Sequence, residues 1–117
     1  MSMSNKPLVW LPFAAGGMLA ALVLPACMLL VLLVGLGALP PETLAFERVR
    51  AFAANPLGGL GLFLVLTLLI WHAAHRFRMT VQDLGVRATG ARRVVAWACY
   101  LAAALGTAVL LRALIVL

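Results

Sequence analysis

Charge is scarce in this 117-residue sequence: only 10% of residues are Asp, Glu, Lys or Arg. Three are acidic, Glu42, Glu47 and Asp83, and no two of them share an apolar site. Paired-carboxylate acid–base chemistry is therefore excluded. Glu42 and Glu47 sit in a connector, where a solvated face is the default. No ionisable group falls near the middle of a long apolar run, which argues against a proton channel or a secondary transporter. Cysteine is nearly as rare. Cys27 and Cys99 both lie deep in apolar runs, without Cys-x-x-Cys or Cys/His zinc spacing, and read as small buried hydrophobes. Two thiols cannot by themselves hold a four-thiolate iron–sulfur cluster. The Gly-x-Gly-x-x-Gly fingerprint after a strand and the P-loop are both missing, as are internal repeats and low-complexity segments.

Apolar side chains fill the space that charge leaves: 66% of the residues are hydrophobic. A water-soluble domain of this length has too much surface to hide so many, so lipid is the natural solvent for the excess. By length, residues 1–117 form a single domain. The net charge of +6 is spread between apolar runs and makes no continuous basic face. It reads as juxtamembrane charge that sets topology and meets anionic lipid, not as a nucleic-acid surface.

The expected fold is all-α and integral to the membrane, with three transmembrane helices. A bilayer core takes about 20 apolar helical residues. No formal charge occurs between Lys6 and Glu42; the first span is placed at 14–38, with Trp10, Pro12 and Phe13 leading into it and Pro25 inside it. Neighbouring helices can satisfy the backbone that such a proline frees. The second span is placed at 57–75 and the third at 94–115, with Arg112 near enough to its end to snorkel. Between the first two, PPETLAFERVRAFAANP (40–56) reads as a short interfacial helix bounded by prolines. It sets Leu44, Val49 and Phe52 against Glu47, Arg48 and Arg50. LPAC at 24–27 has a lipoprotein-like look, but the apolar run continues well past it, so no cleavage is expected there.

Three spans put the N-terminus and the second connector on one side. That side carries Lys6, Arg76, Arg78, Arg87, Arg92 and Arg93, against Arg48, Arg50 and Arg112 on the other. The positive-inside bias predicts a cytoplasmic N-terminus and a periplasmic C-terminus.

The second span ends in WHAAHRFRMTVQDL (71–84). His72, His75, Arg76 and Met79 are spaced by three, four and seven, which predicts a shared helix face. Trp10 reaches the membrane at the same level. Tryptophan and arginine are ordinary anchors at such a boundary. Histidine is a poorer snorkeller and titrates near neutral pH. A haem would need axial ligands from two helices, and the other spans offer no histidine, so a second ligand would have to come from a partner chain. A quinone fits better. Its ring is apolar, and its two carbonyl oxygens need donors and gain negative charge on reduction. Gly/Ala-rich faces such as AAGGMLAA allow close packing around its tail.

Four stretches, PLVW (7–10), AAGGM (14–18), LAFERVRAFA (44–53) and HRFRMTVQDL (75–84), in this order and spacing resemble the D subunit of the bacterial fumarate reductase complex over nearly the whole chain. The resemblance implies a non-catalytic membrane anchor that pairs with a second small anchor, the C subunit. Together they hold a flavoprotein subunit and an iron–sulfur subunit at the cytoplasmic face of the bacterial inner membrane, in the electron transport of anaerobic respiration. It implies menaquinol, oxidised to menaquinone, as the electron donor, flavin and iron–sulfur clusters in the partner subunits only, and no haem. Trp10, His75 and Arg76 match a proximal quinone site, His75 as a hydrogen-bonding group and Arg76 as a stabiliser of the negative charge formed on reduction. Phe52 matches an aromatic position linked to a distal quinone site. There the sequence departs from the family pattern: Ala54 stands where a polar amide is expected, and Asn55 replaces a small hydroxyl residue. The histidine-rich continuation after the His-Arg pair is replaced by Phe77, Arg78 and Met79. Two readings stay open beside this one: a haem-binding anchor of a succinate dehydrogenase, and a ligand-free structural or assembly protein.

Overall fold

The computed structural model describes residues 6–117; the side chains of Lys6 and Val9 lie outside what is described. Four α-helices follow one another: α1 (Lys6–Gly35), α2 (Phe46–Ala54), α3 (Pro56–Asp83) and α4 (Thr89–Val116). A single 3-10 turn, Pro41–Leu44, precedes α2. Helices α1, α3 and α4 are each long and apolar enough to cross a membrane. The 28 residues of α3 run about 42 Å at ~1.5 Å per residue, longer than the ~30 Å hydrocarbon core. The polar end of α3 therefore continues the helix beyond the span expected at 57–75.

Local chemistry sets the ends. The first span closes at Gly35, short of the expected 38, because Gly37 takes a left-handed conformation (φ +75°). The Ala38 N–H then donates to the Leu33 carbonyl at 2.9 Å, and the Gly37 N–H to Val34 at 3.1 Å. This is a Schellman closure, and glycine enters it without a Cβ penalty. Gly85 (φ +110°) ends α3 in the same region of backbone space. The connector expected as one helix over 40–56 is broken at Ala45, whose extended backbone (φ −57°, ψ 137°) separates the 3-10 turn from α2. Leu44 thus lies outside α2, whose exposed large apolar residues are Phe46, Val49 and Phe52.

Helix α3 is central. Both α1 and α4 pack on it, and α2 folds back over its start. Gly16 permits the α1–α3 approach: a Cβ there would lie 2.5 Å from the Leu68 carbonyl oxygen and 2.7 Å from His72 Cβ. Between α3 and α4, Trp71 Nε1–H donates to Thr107 Oγ1 at 3.1 Å, and that hydroxyl donates to the Ala103 carbonyl at 2.9 Å. Each polar group thereby finds a partner where lipid supplies none.

Among the described residues the buried hydrophobic ones are small: Ala53, Cys99 and Ala103. The chain exposes 8972 Å², whereas a compact water-soluble protein of this mass would expose about 6,100 Å². Its extents are 53 × 30 × 27 Å, and side chains such as Leu22, Met28 and Val109 project from it at 67% exposure or more. Such a surface is a membrane protein's, covered by lipid or by other apolar helices.

Candidate functional site

A cleft of about 560 Å³ opens between α1, α3 and α4 at the polar end of α3. Leu8, Pro12 and Phe13 come from α1; Thr67, Leu68, Trp71 and His75 from α3; Tyr100 from α4. The volume falls within the roughly 300–1,000 Å³ of ordinary small-molecule sites. Most of the wall is carbon. The polar exceptions gather on α3 and α4: the His75 imidazole, the Tyr100 phenol and the Thr67 hydroxyl. Thr67 Oγ1 is buried and has no hydrogen-bond partner among the described residues.

Two histidines one turn apart take different parts. His72 stacks on Phe13 (centroids 4.7 Å apart, planes 14° apart), and its Nδ1 lies 2.9 Å from the Phe13 carbonyl oxygen. A carbonyl can only accept, so Nδ1 of His72 carries a hydrogen and donates it. His72 is a tie between α1 and α3, fitted against Gly16 and Gly17. His75 lies between α1 and α4. One side of its ring meets Phe13 at 4.6 Å, and its Nδ1 lies 2.7 Å from Tyr100 Oη. Arg78 Nη1 donates to the same phenol oxygen at 3.0 Å. Tyr100 in turn stacks on Trp71, with centroids 6.0 Å apart. The result is an apolar slot with hydrogen-bonding groups at one end, suited to a flat apolar ring bearing an oxygen.

Of the residues expected at a proximal site, His75 lines the cleft and Trp10 and Arg76 do not. Trp10 is 65% exposed, one helical turn before Phe13. Arg76 is also exposed. The face predicted from His72, His75, Arg76 and Met79 is divided. At about 100° per residue, Arg76 lies ~100° round the helix from His75, whereas Arg78 lies only ~60° round in the other direction. Helix α4 packs on that other side, so Arg78 turns inward to Tyr100. Arg76 and Trp10 remain free to meet something outside this chain.

Sequence reasoning does not reach Tyr100, Arg78, Trp71 or Thr67 as site residues. One signal exists for Tyr100. It is the single tyrosine, set in an apolar span, and a buried phenol there needs a partner for its hydroxyl.

At the far end of α3, Asn55 caps the helix. Its side-chain oxygen accepts from the Leu57 N–H at 3.0 Å and the Gly58 N–H at 3.3 Å. A smaller hollow of about 250 Å³ lies there, lined by Asn55, Pro56, Phe63 and Leu111 among others, but not by Phe52. Phe52 is 59% exposed. Roughly twenty residues of helix, about 30 Å, separate Asn55 from His75, so the two ends of α3 lie at opposite faces of a bilayer.

Comparison with known proteins bears on this architecture. The family model for the D subunit of fumarate reductase matches residues 1–115. The fumarate reductase D subunit of Mycobacterium tuberculosis is 41% identical over 106 residues, covering 90% of this chain and 82% of that protein. The D subunit of Vibrio parahaemolyticus is 40% identical over 106 residues, with the same coverage of 90% and 82%. That of Shewanella putrefaciens is 37% identical over 105 residues, covering 89% and 84%.

Proposed function

Because this chain belongs to the family of fumarate reductase D subunits, and so is a membrane anchor of that complex, we propose that it also helps form a menaquinol site at the α1–α3–α4 cleft. In this reading it pairs with the C subunit. The two hold the flavoprotein and iron–sulfur subunits at the cytoplasmic face of the inner membrane. Arg76, Arg78, Arg87, Arg92 and Arg93 mark that face by the positive-inside bias.

The observation that carries the proposal is His75 lining an apolar cleft at the polar end of α3. A quinol head needs a flat apolar slot and one or more polar groups for its oxygens; Phe13, Trp71 and Leu68 supply the first, and His75 the second. Menaquinol when bound supplies two electrons and two protons. This chain holds the ring between α1 and α3, orients one oxygen toward the His75 imidazole, and keeps bulk water from the apolar wall. Trp10 and Arg76, both exposed and outside the lining of this chain's cleft, contribute to the site together with a partner subunit. The positive charge of Arg76 favours negative charge developing on the bound ring. The electron carriers belong to the partner subunits.

The test uses the assembled complex carrying His75→Ala, Arg76→Ala or Trp10→Ala. Fumarate reduction is measured twice, once driven by a menaquinol analogue and once by a soluble dye that reaches the flavoprotein directly. We expect the quinol-driven rate to fall about tenfold or more, as for loss of one charge-assisted or transition-state hydrogen bond, while the dye-driven rate holds. Quinol-driven rates that stay at the parent level in all three variants remove the site from this chain and leave only the anchor.

A further inference from the structure

We propose that Tyr100, held by Arg78, is a positioning residue that decides which ring nitrogen of His75 carries the hydrogen, and so makes His75 Nε2–H a donor toward the cleft. The functional part of this inference rests on the reading of the cleft as a quinol site; the tautomer itself does not.

Counting hydrogens gives the assignment. A phenol has one hydrogen to give and lone pairs to accept with. A guanidinium can only donate, so the 3.0 Å contact from Arg78 Nη1 uses a lone pair of Tyr100 Oη. The phenol hydrogen still needs an acceptor. Nδ1 of His75, 2.7 Å away, is the acceptor in reach. If Nδ1 also carried a hydrogen, two donors would converge on one oxygen and the phenol hydrogen would be stranded in an apolar span, where an unmade bond is costly. Nδ1 therefore accepts, and the hydrogen of the neutral ring sits on Nε2. No hydrogen bond among the described residues engages that nitrogen. His72 is the internal contrast. Its Nδ1 faces a carbonyl and must donate, so the two histidines of this chain hold opposite tautomers.

The consequence concerns ligand choice. A cleft with an Nε2–H donor recognises an oxygen that accepts, such as a quinone carbonyl or a quinol oxygen losing its proton. With the opposite tautomer it would present a bare lone pair, and the oxidised ligand would meet an acceptor instead of a donor. The position of Arg78, two residues from Arg76, explains why an arginine turns inward here: it occupies the phenol lone pair and thereby directs the phenol hydrogen.

The two histidines allow a direct test. The full-length chain, labelled with 15N-histidine and reconstituted in lipid nanodiscs, reports ring tautomers by nitrogen chemical shift. The expected spectrum shows one Nδ1–H ring and one Nε2–H ring, assigned with His72→Gln. Tyr100→Phe removes the hydroxyl but keeps the ring against Trp71. It should leave the His72 signal in place and turn the His75 signal into a mixture of tautomers. In the assembled complex, Tyr100→Phe should lower quinol-driven turnover roughly five- to tenfold, the scale of one polar contact. It should not change the dye-driven rate, and it should have no further effect on a His75→Ala background. A His75 signal of the Nδ1–H type in the parent, or one unmoved by Tyr100→Phe, overturns the proposal. So does a Tyr100→Phe loss of equal size with and without His75, since that is what a packing role would give. If instead the tautomer responds as expected but His75→Ala leaves quinol turnover intact, the quinol reading of the cleft fails and the functional half of the proposal falls with it.

Discussion

Gly16→Ala strikes at the contact on which the cleft is built. The added Cβ would lie 2.5 Å from the Leu68 carbonyl oxygen and 2.7 Å from His72 Cβ. Neither neighbour is the free end of a side chain, so neither can rotate away. Restoring ordinary contact near ~3.5 Å requires α1 and α3 to part by about 1 Å, and a gap of that size forfeits a quarter to a half of the dispersion well for each atom pair along the seam. Overpacking of this kind costs about 1–3 kcal/mol. Alanine also gains about 1 kcal/mol over glycine in any helix, which would blur a single measurement. Gly61→Ala corrects for this, because Gly61 lies in α3 with nothing within 4 Å of an added methyl group. The propensity gain is then common to both variants, and the difference between them isolates the clash. Reversible unfolding of the full-length chain in mixed micelles should place Gly16→Ala about 1–3 kcal/mol below Gly61→Ala. A difference under ~0.5 kcal/mol, the usual scatter of benign substitutions, would refute the close approach at Gly16. The same displacement would move Phe13 and His72, so in the assembled complex Gly16→Ala should raise the KM for quinol while the dye-driven rate stays constant.

Two further outcomes are expected. Asn55→Ala removes the oxygen that accepts from the Leu57 and Gly58 N–H groups and should cost about 1 kcal/mol of stability, largely restored by Asn55→Asp; equal stability of the alanine variant and the parent in the micelle assay would contradict the capping role. In a version lacking Cys27 and Cys99, Gly90→Cys should react with a membrane-impermeant maleimide only in inverted vesicles; labelling in intact cells would place the basic connector outside and reverse the proposed topology.

Much of the architecture is legible in the residues alone. Three apolar runs, each bounded by charge, prolines or both, have to become three spans, because lipid leaves a backbone no partner outside its own helix. The connector with Glu47, Arg48 and Arg50 has to stay at the surface. Its break at Ala45 and the early close at Gly35 are less visible, since they depend on one extended residue and one left-handed glycine. The His-Arg region at the end of α3 also stands out, because polar side chains are so few.

The sequence by itself determined the medium, the number of spans and the end of the bundle at which polar side chains gather. Only the tertiary structure decided which polar groups meet there. It turned Arg78 inward and Arg76 outward, spent His72 on a helix tie, left His75 facing the cleft, and brought Tyr100 from a span that had offered no candidate. The reason is physical. In water, an amphipathic pattern tells the buried face of a helix from the exposed one. In lipid both faces are apolar, so α1, α3 and α4 carry almost no pattern saying which side meets a neighbour. That choice is made by close approach at small residues such as Gly16 and by the search of each stranded polar group for a partner, and neither is written in the order of residues along the chain.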